Sequence, residues 1–352
     1  MDYSYSLPDK LIAKAPQEPR DSSRLLVYDS VRDLVHFDIF RNIAHYLPGG
    51  ALVVLNNTHV SPARIELQKK TGGKVICLFL MNEPEEGQNE VKVMLDRKIE
   101  IGQSLYLRSC EIAQISAHRE GSVFIATLLI TRQQLFDILE KEGNMPIPLY
   151  LRSTTLSEGE LQEKYQTVFA QKNSSSRIDA LSSVAAPTAS LHITERVLRS
   201  FADKLIDTTD VKLEVGMGTF APLTESHIRE GKLHTEWCGI PPGSIQKILK
   251  AKEEKRPVVA VGTTVVRTLE SWAGTSSSFN FQPTQIFIKP GHVFHIVDML
   301  VTNFHIPNSS LMMLVQALLT AKKSRKSLID LYDIAIRENF RFYSFGDAMI
   351  II

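Results

Sequence analysis

Between about Glu66 and Ile130 the chain carries five stretches of strand character: KVICLFLM, NEVKVML, QSLYLR, CEIAQISAH and SVFIATLLI. Turn signals separate them at Thr71-Gly72-Gly73, Glu85-Glu86-Gly87, Ile101-Gly102 and Glu120-Gly121. Short strands at regular spacing, with no helical pattern between them, fit a small antiparallel barrel or sandwich. An amphipathic helix, TRQQLFDILEKEG, follows with Gly143 as its cap, and the Pro-rich MPIPLYLR marks a return. On both sides of this module, apolar strand-like runs alternate with helical patterns. That alternation predicts a mixed or mainly parallel sheet with helices on its faces. The expected fold is therefore α/β, a mixed sheet with flanking helices forming the main domain from residues 1–65 and 152–352. A small antiparallel β-barrel domain, residues 66–151, is inserted into it.

A chain of 352 residues is long for one core, so two domains are the default. With 43% hydrophobic and 22% charged residues it is an ordinary globular chain, and disorder is excluded as its main state. Lys plus Arg number 40 against 39 for Asp plus Glu, which neither predicts nor forbids a nucleic-acid partner. Cys77, Cys110 and Cys238 lie far apart with no C-x-x-C, as in a protein of the reducing cytoplasm. The polar N-terminus lacks a secretory pattern, and no uncharged apolar run reaches a membrane-spanning length.

In the α/β part, YSLPDKLIAKAP and DIFRNIAHYLPGG read as short helices, and ALVVL as a buried strand that breaks into Asn56-Asn57-Thr58-His59. Near the C-terminus, a strand over Val297–Thr302 should hand over, through Asn303-Phe304-His305-Ile306-Pro307-Asn308, to a helix opened by Ser309 and Ser310. FIKPGHVFHIVDMLVT reads as two strands about a Pro290-Gly291 turn, Leu328–Asn339 as a helix and FYSFGDAMII as a terminal strand. Ligands of open α/β sheets collect where strands hand over to helix N-termini. Asn303 and His305 are thus candidate site residues, with local capping as the alternative.

Other constellations are less specific. His227, His234 and Glu236, with His305 joining in space, could form a zinc site, yet neither H-E-x-x-H nor H-x-H is present and Gly231 interrupts the helix. Gly262-Thr263-Thr264 offers N–H groups and hydroxyls at a helix start but is not a P-loop. Arg267, on the same face as Thr264, could hold an anion or simply pair with Glu270. VGMGTF brings two glycines around Met217, for close approach to a ligand or for a bulge. Asp347, after Gly346, could accept from a substrate or from its own turn. The basic runs from Lys247 and Lys322 lack interleaved aromatics and read as solvated helix faces.

Taken together, LNNTHVSPARI, TGGKVICLFL, EKYQTVFA, SVAAPTASLHIT, EVGMGTFAPL, LHTEW, VVAVGTTVVRTLES, FIKPGHVFHIVDMLVTNFHIPNSSLMML and RFYSFGDAMII occur in this order from end to end. The chain resembles the S-adenosylmethionine:tRNA ribosyltransferase-isomerases of queuosine biosynthesis over essentially its whole length. That resemblance implies an α/β domain with an inserted barrel. It also implies transfer and isomerisation of the ribosyl moiety of S-adenosylmethionine onto 7-aminomethyl-7-deazaguanine at the tRNA wobble position. Epoxyqueuosine is formed, and adenine and methionine are released. The implied partners are S-adenosylmethionine as co-substrate and the tRNA anticodon arm bearing the deazaguanine. No metal, further cofactor or membrane is implied, and the enzyme would be a cytoplasmic monomer.

His59, Ser190 and Asn308 depart from the family's usual Arg, Gly and Lys. A His cannot form a bidentate fork, and Ser190 matters if the backbone there needs a positive φ. The chemistry needs a base near C5′ of the sulfonium, help for departing adenine and attack of an amine on C1′. Expected for the acid–base pool are His192, His234 and His305, with Asp298 or Asp347 orienting one of them. Thr263, Thr264 and Asn303 are expected at the ribose or methionine. Arg64, Arg267 and Arg341 are candidates for the methionine carboxylate or a tRNA phosphate. Asn56, Thr58, Thr188 and Thr219 complete the expected substrate contacts.

Overall fold

The computed structural model describes residues 3–84, 89–170, 183–216, 218, 225–273 and 278–352. Along the chain, β1 (Arg24–Asp29), β2 (Leu34–Ile39) and β3 (Leu52–Asn56) begin the large sheet. Six strands then follow: β4 (Arg64–Lys69), β5 (Lys74–Pro84), β6 (Glu90–Leu95), β7 (Ser104–Leu107), β8 (Cys110–His118) and β9 (Val123–Leu128). They close into an antiparallel barrel of order β4-β5-β6-β9-β8-β7. The sixth strand, beyond the five read from sequence, is β4, whose alternating burial fills the barrel from Ile65 and Leu67. Helix α1 (Arg132–Glu142) packs on the barrel from Leu135, Phe136 and Leu139. Thr131 and Gln134 form its capping box.

The chain returns through α2 (Glu158–Lys164) and α3 (Glu195–Asp203) to β10 (Asp207–Glu214), α4 (Glu225–Glu230) and β11 (Lys232–Ile240). Then come α5 (Pro242–Glu253), β12 (Val258–Val261), α6 (Thr263–Trp272), β13 (Phe279–Ile286), β14 (Met299–Asn303), α7 (Ser310–Ala321), α8 (Leu328–Arg337) and β15 (Ala348–Ile351). The sheet order is β13-β11-β10-β3-β12-β14-β15-β1-β2. Its centre, β10-β3-β12-β14, is parallel, whereas β15 runs antiparallel to β14. The architecture is the expected mixed sheet with flanking helices and a barrel. Side chains alternate across it: Leu52, Val54, Val258, Ala260 and Leu300 join the core under α5, α6 and α7. Leu25, Val53, Val259, Val261 and Val301 join the opposite core with Phe40, Val197 and Phe201. Burial on both faces explains why these strands read as continuous apolar runs.

Three local expectations differ from the structure. Residues 9–11 and 40–46 form only 3-10 turns instead of α-helices. Of the two strands expected from FIKPGHVFHIVDMLVT only the second forms, as β14; the Pro290-Gly291 turn is present, and the strand before it is the edge strand β13, from FNFQPTQI. The N–H groups of His295, Ile296 and Val297, which a strand would donate to a neighbour, donate to the buried Glu270 carboxylate. Residues 171–182, with QKNSSSRIDALS, lie outside the described part. Among the described residues no helix is long and apolar enough to cross a membrane.

Candidate active site

The parallel strands all deliver their carboxyl ends to one side of the sheet, and a pocket opens there. Val215 after β10, Gly262 to Thr264 after β12 and Thr302 to Ile306 at the end of β14 line it. Tyr343 and Ser344, just before β15, reach the same side because that strand runs antiparallel to β14. Thr188 and Ala189 form another wall, and Tyr150 and Tyr165 an aromatic one.

Gly262 makes the turn into α6 with φ 97° and ψ 152°, a backbone region that is essentially glycine's own. The turn places Thr263 and Thr264 at the positive end of the helix, both buried against the pocket. Thr264 Oγ1 is buried with no hydrogen-bond partner. One turn on, Arg267 pairs with Glu236 of β11, not with Glu270, while its Nε has no partner. Glu236 also accepts from Gly216 N at 3.4 Å.

The loop after β14 is held from several sides. Ser309 caps α7 by accepting from Met312 N, the capping expected from the sequence. His305 N donates to the Tyr332 hydroxyl at 2.8 Å, and the His305 carbonyl accepts from Tyr5. Its ring Nε2 shares a 3.3 Å hydrogen bond with Thr302 Oγ1, whereas Nδ1 is buried and unpartnered. Asn303 Oδ1 accepts from Thr188 Oγ1 at 2.8 Å, and its Nδ2 lies 3.4 Å from His192 Nε2. His192 sits behind Asn303, its ring tilted against Phe40 with centroids 4.9 Å apart. Burial pushes His192 down to about 4, helped by the Arg341 and Arg20 guanidinium groups against a backbone hydrogen bond at Arg20. Burial likewise pushes His305 down to about 4. Both rings are neutral at pH 7.

Of the residues expected from sequence, Thr188, Thr263, Thr264, Arg267, Asn303 and His305 line this pocket together, and His192 supports it from behind. His234, two residues before Glu236 on β11, does not line the pocket and packs edge-on against His227, ring centroids 4.4 Å apart. Asp298 is placed differently. It stands at the other end of β14, roughly 16 Å of strand from Asn303, where it accepts from Val258 N and Lys252. It cannot orient a pocket histidine. Asp347 is also committed elsewhere, accepting from Arg24 N at 3.0 Å and Arg341 N at 2.7 Å. Asn56 fastens β3 to β10 by donating to the Leu213 carbonyl and accepting from Leu213 N. Thr58 Oγ1 is buried nearby without a partner. Arg64 opens β4 outside the pocket, and Arg341 donates to the Ala15 carbonyl beside Asp347. Thr219 lies outside the described residues. Among those residues no three His, Cys, Asp or Glu side chains gather as metal ligands.

The pocket's tyrosines are not among the residues expected from the sequence. Tyr150 OH and Ser344 Oγ share a 2.6 Å hydrogen bond, and the Tyr150 and Tyr343 rings lie 4.7 Å apart. The three tyrosines in MPIPLYLR, EKYQ and FYSF were the available signal, but nothing in the sequence brings those segments together.

Residues 1–351 match the family model described as queuosine biosynthesis protein. An S-adenosylmethionine:tRNA ribosyltransferase-isomerase of Fusobacterium nucleatum is 38% identical, over 99% of this chain and 96% of its own. One of Rubrobacter xylanophilus is also 38% identical, over 100% and 97%. The crystal structure of the S-adenosylmethionine tRNA ribosyltransferase from Thermotoga maritima superposes with a TM-score of 0.54 and 28% identity, covering 99% of both chains.

Proposed function

The chain belongs to the queuosine biosynthesis protein family, and from that premise we propose that it is an S-adenosylmethionine-dependent tRNA ribosyltransferase-isomerase. It moves the ribosyl part of S-adenosylmethionine onto 7-aminomethyl-7-deazaguanine at the tRNA wobble position and isomerises it. The product is epoxyqueuosine-tRNA, and adenine and methionine leave. S-adenosylmethionine is the only co-substrate, and the tRNA is gripped at its anticodon arm. The enzyme acts as a cytoplasmic monomer, with residues 66–151 as an inserted barrel domain.

The observation that carries this reading is the convergence of Asn303, His305, Thr263, Thr264 and Thr188 on one pocket at the strand ends. A sulfonium nucleoside presents hydroxyls, an acidic C5′–H and a leaving base, and this set answers each. Asn303 is oriented by Thr188 and His192, so its amide is fixed for a sugar hydroxyl. Neutral His305 can take a proton at Nδ1 in the tautomer whose Nε2–H donates to Thr302. Tyr150, Tyr165 and Tyr343 give flat apolar surface for a base. His192 acts through Asn303 as a positioning residue.

Incubating the protein with S-adenosylmethionine and tRNA carrying 7-aminomethyl-7-deazaguanine should release one adenine per modified tRNA. Tight tRNA binding without adenine would replace the enzyme by a binding module. Activity that tracks stoichiometric bound zinc would restore a metal-dependent mechanism.

A further inference from the structure

We infer that the first turn of α6 holds the amino-acid end of the sulfonium co-substrate, its carboxylate on Arg267 Nε and Thr264 Oγ1 and its ammonium facing Glu236. This deepens the proposed function and rests on it. Arg267 is 9% exposed and Thr264 8%, and both line the pocket. Each carries a buried polar atom without a partner, Nε on one and Oγ1 on the other. They stand three residues apart on one helix face, so a single carboxylate can reach both. The positive end of the helix adds to the attraction.

Glu236 decides the kind of ligand. Glu236 is 4% exposed and already pairs with Arg267, so a bare anion on Arg267 would bring a second negative charge beside a buried carboxylate. A zwitterion brings its own cation, so Arg267 and Glu236 each keep an opposite charge beside them. The other two arginines named from sequence do not offer this. Arg64 lies outside the pocket, and Arg341 lies beside Asp347.

The test compares S-adenosylmethionine with decarboxylated S-adenosylmethionine, reading kcat/KM from adenine release on the substrate tRNA. Wild type should prefer the carboxylate-bearing compound by about 10- to 100-fold, the worth of a hydrogen bond to a charged group. In Arg267→Gln the rate with S-adenosylmethionine should fall by that factor more than the rate with the decarboxylated compound. The preference then approaches one. Because the preference is a ratio, it does not depend on how much of a variant is folded. Arg267→Lys, which keeps the charge but loses Nε, should show an intermediate preference and serves if the glutamine variant does not accumulate. Equal use of both compounds by wild type, or an undiminished preference in Arg267→Gln, overturns the assignment while leaving the enzyme reading intact. Absence of adenine from wild type with either compound overturns the enzyme reading itself.

Discussion

His305 presents the pocket with a neutral ring whose Nδ1 has nothing to bond. A buried nitrogen left unpaired is costly, by about 1–3 kcal/mol, unless a ligand completes it. Replacing His305 with Ala should cut turnover by at least about 100-fold if the ring transfers a proton. Initial rates at saturating S-adenosylmethionine and tRNA measure it, and near-normal turnover in a folded variant removes the role. At this scale the sequence was informative where a residue's place follows from its element. Thr263, Thr264 and Asn303 were legible because a strand end followed by a helix start fixes where they stand. Asp298 and Asp347 were not. A carboxylate next to a strand reads alike at either end, yet Asp298 marks the start of β14 and Asp347 caps the backbone of Arg24 and Arg341. The partner of Arg267 was equally hidden, since Glu270 is near in sequence while Glu236 meets it only across two elements.

Elements buried on both faces, such as β3 and β14, read to within two residues of their observed ends, because an apolar run bounded by polar loops leaves little choice. The failures occur where side chains replace the backbone as hydrogen-bond partners. Glu270 draws the N–H groups of residues 295–297 away from any strand. Around Gly346 the chain turns back on itself just before β15. A Cβ there would stand 2.5 Å from the Arg341 carbonyl oxygen and 2.5 Å from the Phe342 carbonyl carbon. Those are backbone atoms and cannot rotate away, so the turn that carries Tyr343 and Ser344 into the pocket requires glycine. Gly346→Ala should destabilise the protein by about 1–3 kcal/mol, seen as a lower urea midpoint. It should also weaken co-substrate binding more than an alanine at exposed Gly243 does, where a Cβ meets nothing within 4 Å. A midpoint equal to wild type would show that the turn can relax.

For the whole molecule, the two cores of the sheet are joined to the barrel by the segments that also frame the pocket. Arg64 pairs with Asn144 and Val60 with Ser183, and Tyr150 follows directly on the barrel's return. Global stability and the site therefore share buried groups, and His192 is the clearest of them. Its folded value of about 4 lies below the ordinary 6.5, so the folded protein keeps the ring neutral while an unfolded chain would protonate it. The stability this represents is complete above about pH 6.5 and is lost as pH falls from there toward 4. Linkage puts the loss between pH 7 and pH 5 at about 2 kcal/mol for this ring. His305, which keeps one side toward the pocket, adds a smaller amount in the same direction. Urea unfolding at pH 7 and pH 5 should thus show a clear fall in wild type. In His192→Gln, which keeps a hydrogen-bonding group but cannot titrate, the fall should shrink by about that 2 kcal/mol, even if the variant is less stable at both pH values. An identical fall in both proteins would mean that the ring takes up its proton without unfolding. The neutral histidine behind Asn303 would then no longer explain how that amide is held.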